Sequence, residues 1–125
     1  MGVDTVSLEF LKRFGDAWNR HDVDAVMAHM TDDCTFVPSV GAELVAAGCQ
    51  GREAVTAAVR AFMQTWPDGH FEPLGEFVAG NRGVSEWIFS GTKADGTKIR
   101  TRGCDVLTFE NGKIKVKDAY RKQLP

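Results

Sequence analysis

Two dipeptides, Asp95-Gly96 and Asn111-Gly112, constrain this chain more than any other feature. Tight hairpin turns need left-handed backbone, which Asn, Asp and Gly adopt at least cost. Asp95-Gly96 lies within a connection over residues 93–97, and both dipeptides sit between runs rich in β-branched and aromatic residues. Residues 84–92 alternate Ser85, Trp87 and Phe89 with Val84, Glu86 and Ile88, the period of a strand with two unlike faces. Residues 98–110 and 113–122 continue as strands. Residues 71–79 precede them across a turn of Gly80, Asn81, Arg82 and Gly83. The second half of the chain is thus an antiparallel meander.

The first half has the other period. Over residues 5–20, Leu8, Leu11, Phe14, Gly15 and Trp18 recur at three and four, as on one face of a helix that Asn19, Arg20 and His21 end. Asp22 is an N-cap for a shorter helix carrying Val23, Val26, Met27 and Met30. Thr31, Asp32 and Asp33 form a polar break, and residues 34–37 a short strand stopped by Pro38. Residues 38–50 read as a long, rather apolar loop with Val40, Leu44, Val45, Ala46 and Ala47, either packed on the body or closing over a cavity as a lid. Gly51 and Arg52 open a third helix with Val55, Ala58, Val59, Phe62, Met63 and Trp66 on one stripe, broken by Pro67, Asp68 and Gly69. Three helices before a meander predict an α+β fold. The helices pack in the concave face of a strongly curved antiparallel sheet, a cone with a hollow at its wide end.

Composition narrows the function. A chain of 125 residues is one domain, 1–125, and 43% apolar with 26% charged residues is not a disordered one. Its 15 Lys+Arg nearly balance 17 Asp+Glu, against a basic nucleic-acid binder. No apolar run reaches the roughly 18 residues of a membrane span, and the N-terminal residues lack a leader pattern. Cys34, Cys49 and Cys104 are odd in number and unlike a zinc clip, so a reducing cytoplasm is expected. His21, His29 and His70 share no ligand spacing and no nucleotide fingerprint occurs, so neither metal nor cofactor is expected.

Four local patterns then carry a family likeness. Residues 17–22 (AWNRHD) join the first two helices, residues 30–36 (MTDDCTF) enter the first strand, and residues 51–55 (GREAV) open the third helix. Residues 103–114 (GCDVLTFENGKI) span the last hairpin. In this order the chain resembles the NTF2-like superfamily, which includes SnoaL-like polyketide cyclases and ketosteroid isomerases. The likeness covers essentially the whole chain, yet the fold hosts isomerases, cyclases, hydrolases, dehydratases and non-catalytic binders. It implies a pocket for a small, partly apolar organic molecule and a homodimer through the open side of the sheet. The face carrying Lys98, Arg100, Arg102 and Thr108 would make such an interface rather polar. If the protein is an enzyme, cofactor-free isomerisation, cyclisation or dehydration is implied. The alternative is a non-catalytic binding or dimerising module.

Asp105 is the leading candidate. Alternation places it on the face of Leu107 and Phe109, where an isolated carboxylate must be paired, hydrogen-bonded or protonated. The resemblance puts it where the isomerases carry a protonated Asp that donates to an enolate. Their oxyanion-hole Tyr corresponds to Phe14 and their catalytic base falls near Pro38, so the steroid mechanism is not expected here. Lys117, Tyr120 and Arg121 are the assisting candidates. Simple alternation from Ile114 turns Val116, Asp118 and Tyr120 inward and Lys115, Lys117 and Arg121 to water, whereas the resemblance lines the cavity with Lys117, Ala119 and Arg121. Only a bulge after Ile114 reconciles the two. Lys117 or Arg121 could then pair with Asp105 or bind a ligand oxygen, and such pairing would keep Asp105 ionised. Phe14, Trp18, Phe36, Phe62, Trp66, Trp87 and Phe89 are either core or pocket lining, suited to a flat ligand.

Overall fold

The computed structural model describes residues 4–40 and 48–123. The first helix, α1 (Leu8–Asn19), starts where the Ser7 hydroxyl accepts the Phe10 amide hydrogen, later than the periodicity alone suggests. In α2 (Val23–Ala28) the Asp22 carboxylate accepts the Ala25 N–H at 3.0 Å, the expected cap. Met30 does not close that helix. It opens β1 (Met30–Val37), so the Thr31–Asp33 break lies within a strand, carried by a register irregularity between Met30 and Thr35. A two-residue strand, β2 (Cys49–Gln50), pairs with Thr35 and Phe36 where a loop was expected. The rest of that loop, with its lid reading, lies largely outside the described residues. The third helix is α3 (Arg52–Thr65).

Four long strands follow: β3 (His70–Ala79), β4 (Arg82–Thr92), β5 (Lys98–Glu110) and β6 (Lys113–Arg121). The sheet order is β2-β1-β6-β5-β4-β3, open at both edges and antiparallel except where β1 runs parallel to β6. The core joins Leu11, Phe14, Ala17 and Trp18 of α1, Val26 and Met27 of α2, and Val55 and Val59 of α3 to Phe36, Leu107, Phe109 and Ile114 of the sheet. A second cluster, Trp66, Trp87 and Phe89, fills the space towards the far end of β4. The α+β cone expected from the sequence is the fold observed.

The helix junction pins the cone. Asn19 brackets the β3 backbone, donating to Phe71 O at 2.9 Å and accepting from Phe71 N at 2.8 Å. His21, at a φ of 56°, brings Nε2 to 2.9 Å from Gly69 O. Arg52 donates to the Met27 carbonyl in the last turn of the short second helix and to the Met30 carbonyl just beyond it; that helix has no basic residue in its own last turn. These contacts give the AWNRHD and GREAV patterns a mechanical meaning.

Two bulges then decide which polar side chains face the helices. In β6, Thr108 pairs with Val116 while Phe109 pairs with Ile114, leaving Lys115 as the extra residue. In β3, Pro73 pairs with Trp87 and Gly75 with Glu86, leaving Leu74 unmatched. Each inserted residue reverses the alternation beyond it.

Candidate functional site

Asp105 lies inward with Leu107 and Phe109, all three buried, as alternation along β5 requires. Lys117 meets it there. Beyond the Lys115 bulge the inward positions of β6 become Lys117, Ala119 and Arg121, so the outward reading of the cationic stripe is corrected for Lys117. Lys117 Nζ donates to Asp105 Oδ1 at 2.9 Å, and Trp87 Nε1 donates to Asp105 Oδ2 at 3.2 Å. Both oxygens of the carboxylate are engaged. The Lys117 side chain is only 5% exposed and that of Asp105 9%. The ammonium also stands 4.8 Å from the Trp18 ring centre and 4.9 Å from that of Phe36. Aromatic faces replace part of the hydration this cation has lost.

Trp87 reaches the carboxylate because its cross-strand neighbour is Gly103. A Cβ there would meet the Tyr120 carbonyl and come within 2.7 Å of the indole ring, so only glycine lets that ring lie across β5.

Two cavities flank the ion pair. One, of about 500 Å³, opens between α1 and β3–β4 and is lined by Phe14, Trp18, Glu76, Ser85, Trp87, Asp105 and Lys117 among others. The other, of about 250 Å³, is lined by Phe36, Phe62, Trp66, Phe89, Lys93 and Arg121. Trp18, Phe71, Trp87 and Lys117 border both. The Trp18 indole N–H is buried and has no acceptor among the described residues. Each aromatic residue singled out from the sequence lines one or both cavities.

Tyr120 does not join them. It is 55% exposed on the outer face and donates its hydroxyl to Asp118 at 3.0 Å, a hydrogen bond to a carboxylate that pushes the phenol's pKa up. The bulge that turns Lys117 inward turns Tyr120 outward. Arg121 borders the smaller cavity and makes no ion pair with Asp105; Lys117 takes that place.

A second inward carboxylate went unread in the sequence. Glu76 Oε2 accepts from Ser85 Oγ at 2.8 Å, and Ser85 is the cross-strand partner of both Glu76 and Asp105. Glu76 has no cation partner among the described residues. Alternation placed Ser85 on the Trp87 face, but uninterrupted alternation from Phe71 would have turned Phe77 inward and Glu76 out. The Leu74 bulge reverses this, and Phe77 is 58% exposed.

Burial pushes the Cys34 and Cys104 thiols up in pKa, in Cys104 with help from the Asp105 charge. His29 Nδ1 lies 2.7 Å from Ala25 O. Among the described residues no group of His, Cys, Asp and Glu is arranged to hold a metal ion, and no helix is long and apolar enough to cross a membrane.

The sequence of residues 11–116 matches the SnoaL-like domain. The chain belongs to the SnoaL-like family. Solved structures similar to this SnoaL-like chain include an NTF2-like protein of unknown function from Mesorhizobium loti, 28% identical over 93% of this chain and 90% of that one, with a TM-score of 0.74. A putative SnoaL-like polyketide cyclase from Jannaschia is 14% identical over 92% and 84% of the two chains, TM-score 0.79. A protein of ketosteroid isomerase-like fold from Catenulispora acidiphila, solved in complex with trimethylamine, is 18% identical over 92% and 86%, TM-score 0.79. These likenesses speak for the fold. No curated protein matches the sequence.

Proposed function

We propose that this SnoaL-like protein binds a small, partly apolar carbonyl compound in the larger cavity and moves a proton on it without a cofactor. The observation that carries this reading is the buried Asp105–Lys117 pair bordering that cavity. An ammonium in a poorly hydrated site is a strong donor to a carbonyl oxygen that is becoming an enolate. Asp105 acts as the positioning residue for that ammonium, with the Trp87 N–H holding its second oxygen. Asp105 therefore does not serve as the neutral donor of the isomerases. Glu76, oriented by Ser85 and with no cation partner among the described residues, takes the α-proton and returns it to the same or a neighbouring carbon, so the cycle is proton-neutral.

Deuterium exchange at the α-carbon of 1-indanone, a flat aryl ketone, tests this by NMR in D2O. Wild-type protein is expected to accelerate exchange, and Lys117→Met and Glu76→Gln are each expected to lower the rate roughly 100-fold, the lower end of acid–base contributions. Saturable indanone binding with no exchange above buffer would remove the catalytic reading and leave a ligand-binding module.

For the assembly we infer a homodimer through the outer sheet face. Phe77 and Tyr120 are exposed there, and Glu72, Glu86, Arg100 and Arg102 put both signs of charge on the same surface. A two-fold copy can set unlike charges opposite each other. A strict monomer in sedimentation at high micromolar concentration would rule it out. The cysteines, free among the described residues, suit a reducing cytoplasm as the working compartment.

A further inference from the structure

We infer that the smaller cavity is a separate binding site for a small aromatic carboxylate. The inference does not rest on the chemistry proposed for the larger one. Among the described residues, Asp16, Glu76, Glu86 and Asp105 border the larger cavity, and no acidic residue borders the smaller. The smaller has three cations instead: Lys93, Lys117 and Arg121. Lys117 is neutralised by Asp105. Lys93 and Arg121 form no ion pair among the described residues, although the Lys93 charge reaches the Asp95 carboxylate from beyond contact distance. Positive charge that no described residue neutralises, beside low-dielectric walls, favours an anion.

The walls specify what kind of anion. Phe62, Trp66 and Phe89 form a run of ring contacts, with Trp66 and Phe89 edge to face at 5.6 Å and Phe62 and Phe89 at 5.4 Å. Lys93 Nζ lies 5.3 Å over the Trp66 ring, a position from which it can meet a charged group at the edge of a bound ring. Arg121 offers a planar fork that fits the two oxygens of a carboxylate. At about 250 Å³ the space falls below the roughly 300–1,000 Å³ of sites for drug-sized ligands, which restricts the guest to about one ring. A flat ring carrying a carboxylate satisfies volume, surface and charge together; an aliphatic amine or a neutral polycycle does not.

Calorimetric titration of the full chain with benzoate, and with its neutral isostere benzamide, is the test. Benzoate is expected to bind saturably and at least about tenfold more tightly than benzamide, a preference worth about 1.4 kcal/mol. Arg121→Met, which keeps much of the stem, is expected to lower benzoate affinity tenfold or more and leave benzamide unchanged, while Arg121→Lys restores part of the loss. Lys93→Met, at an exposed position, should weaken benzoate by a smaller factor. Equal affinity for the two probes, no saturable benzoate binding at millimolar concentration, or full benzoate affinity in Arg121→Met would each overturn the inference.

Discussion

Lys115 and Lys117 lie two residues apart on one strand, and both are paired with carboxylates, yet the two pairings are of different kinds. Lys115 Nζ lies 3.2 Å from both Asp33 Oδ2 and Glu110 Oε2, with 36% of its side chain in solvent. Lys117 has one carboxylate, at 2.9 Å, and almost no solvent. Water screens the first set, and exposed pairs of that kind contribute little to stability. The second pair has lost its hydration on both sides, and the attraction between its members only about offsets that loss. More carboxylates thus surround the less consequential lysine. A buried pair that adds little net stability, placed beside a cavity, fits the proposed function, in which its ammonium acts on a ligand.

The largest effect that separates the two should come from Asp105→Ala. Removing the carboxylate strands the Lys117 ammonium, and losing one member of a buried pair costs roughly 3–5 kcal/mol, to be read from urea unfolding. Adding Lys117→Met to that variant is expected to recover much of the loss, since the uncompensated charge goes with it. A double variant as unstable as the sum of its parts would mean that the two groups are not coupled and that the contrast with Lys115 is mistaken. Trp87→Phe comes next. It removes the N–H donated to Asp105 Oδ2 but keeps an aromatic ring, and a hydrogen bond to a charged group contributes roughly 1.5–3 kcal/mol.

The contrast also locates what the sequence could and could not disclose. Asp105 was readable because β5 keeps an unbroken period of two through Leu107 and Phe109, so one apolar neighbour fixes the direction of the next side chain. The turns, the Asp22 cap and the stripe on α3 were readable for a similar reason, each being set by residues within one or two turns of chain. Lys117 and Glu76 were not, since each lies just beyond a bulge. Whether Lys115 or Leu74 is skipped depends on the partner strand's register, a long-range property that local alternation does not contain. The strand β2 escaped for the same reason, as Cys49–Gln50 becomes a strand only by pairing with Thr35 and Phe36. The family likeness did carry the inward reading of Lys117, because it brings register from elsewhere.

The smallest effect belongs to Lys115, and its dependence on pH has a definite sign. Hydrogen bonds that Lys115 donates, first to Glu110 and then to Asp33, raise its pKa above the ordinary 10.5. Its contribution is therefore complete below that value and lost as pH rises through the higher folded one. Asp33 is lowered from its ordinary 3.8, first by the Thr31 hydroxyl and then by Lys115, so its share is complete above that value and lost as pH falls through the lower one. Lys115→Met should thus unfold within about 2 °C of wild type at neutral pH and low salt, with the difference vanishing near 1 M salt. The same difference should close in strong acid and in strong alkali. If it widened towards either extreme, or if Lys115→Met proved as damaging as Asp105→Ala, exposure would not be what distinguishes the two lysines.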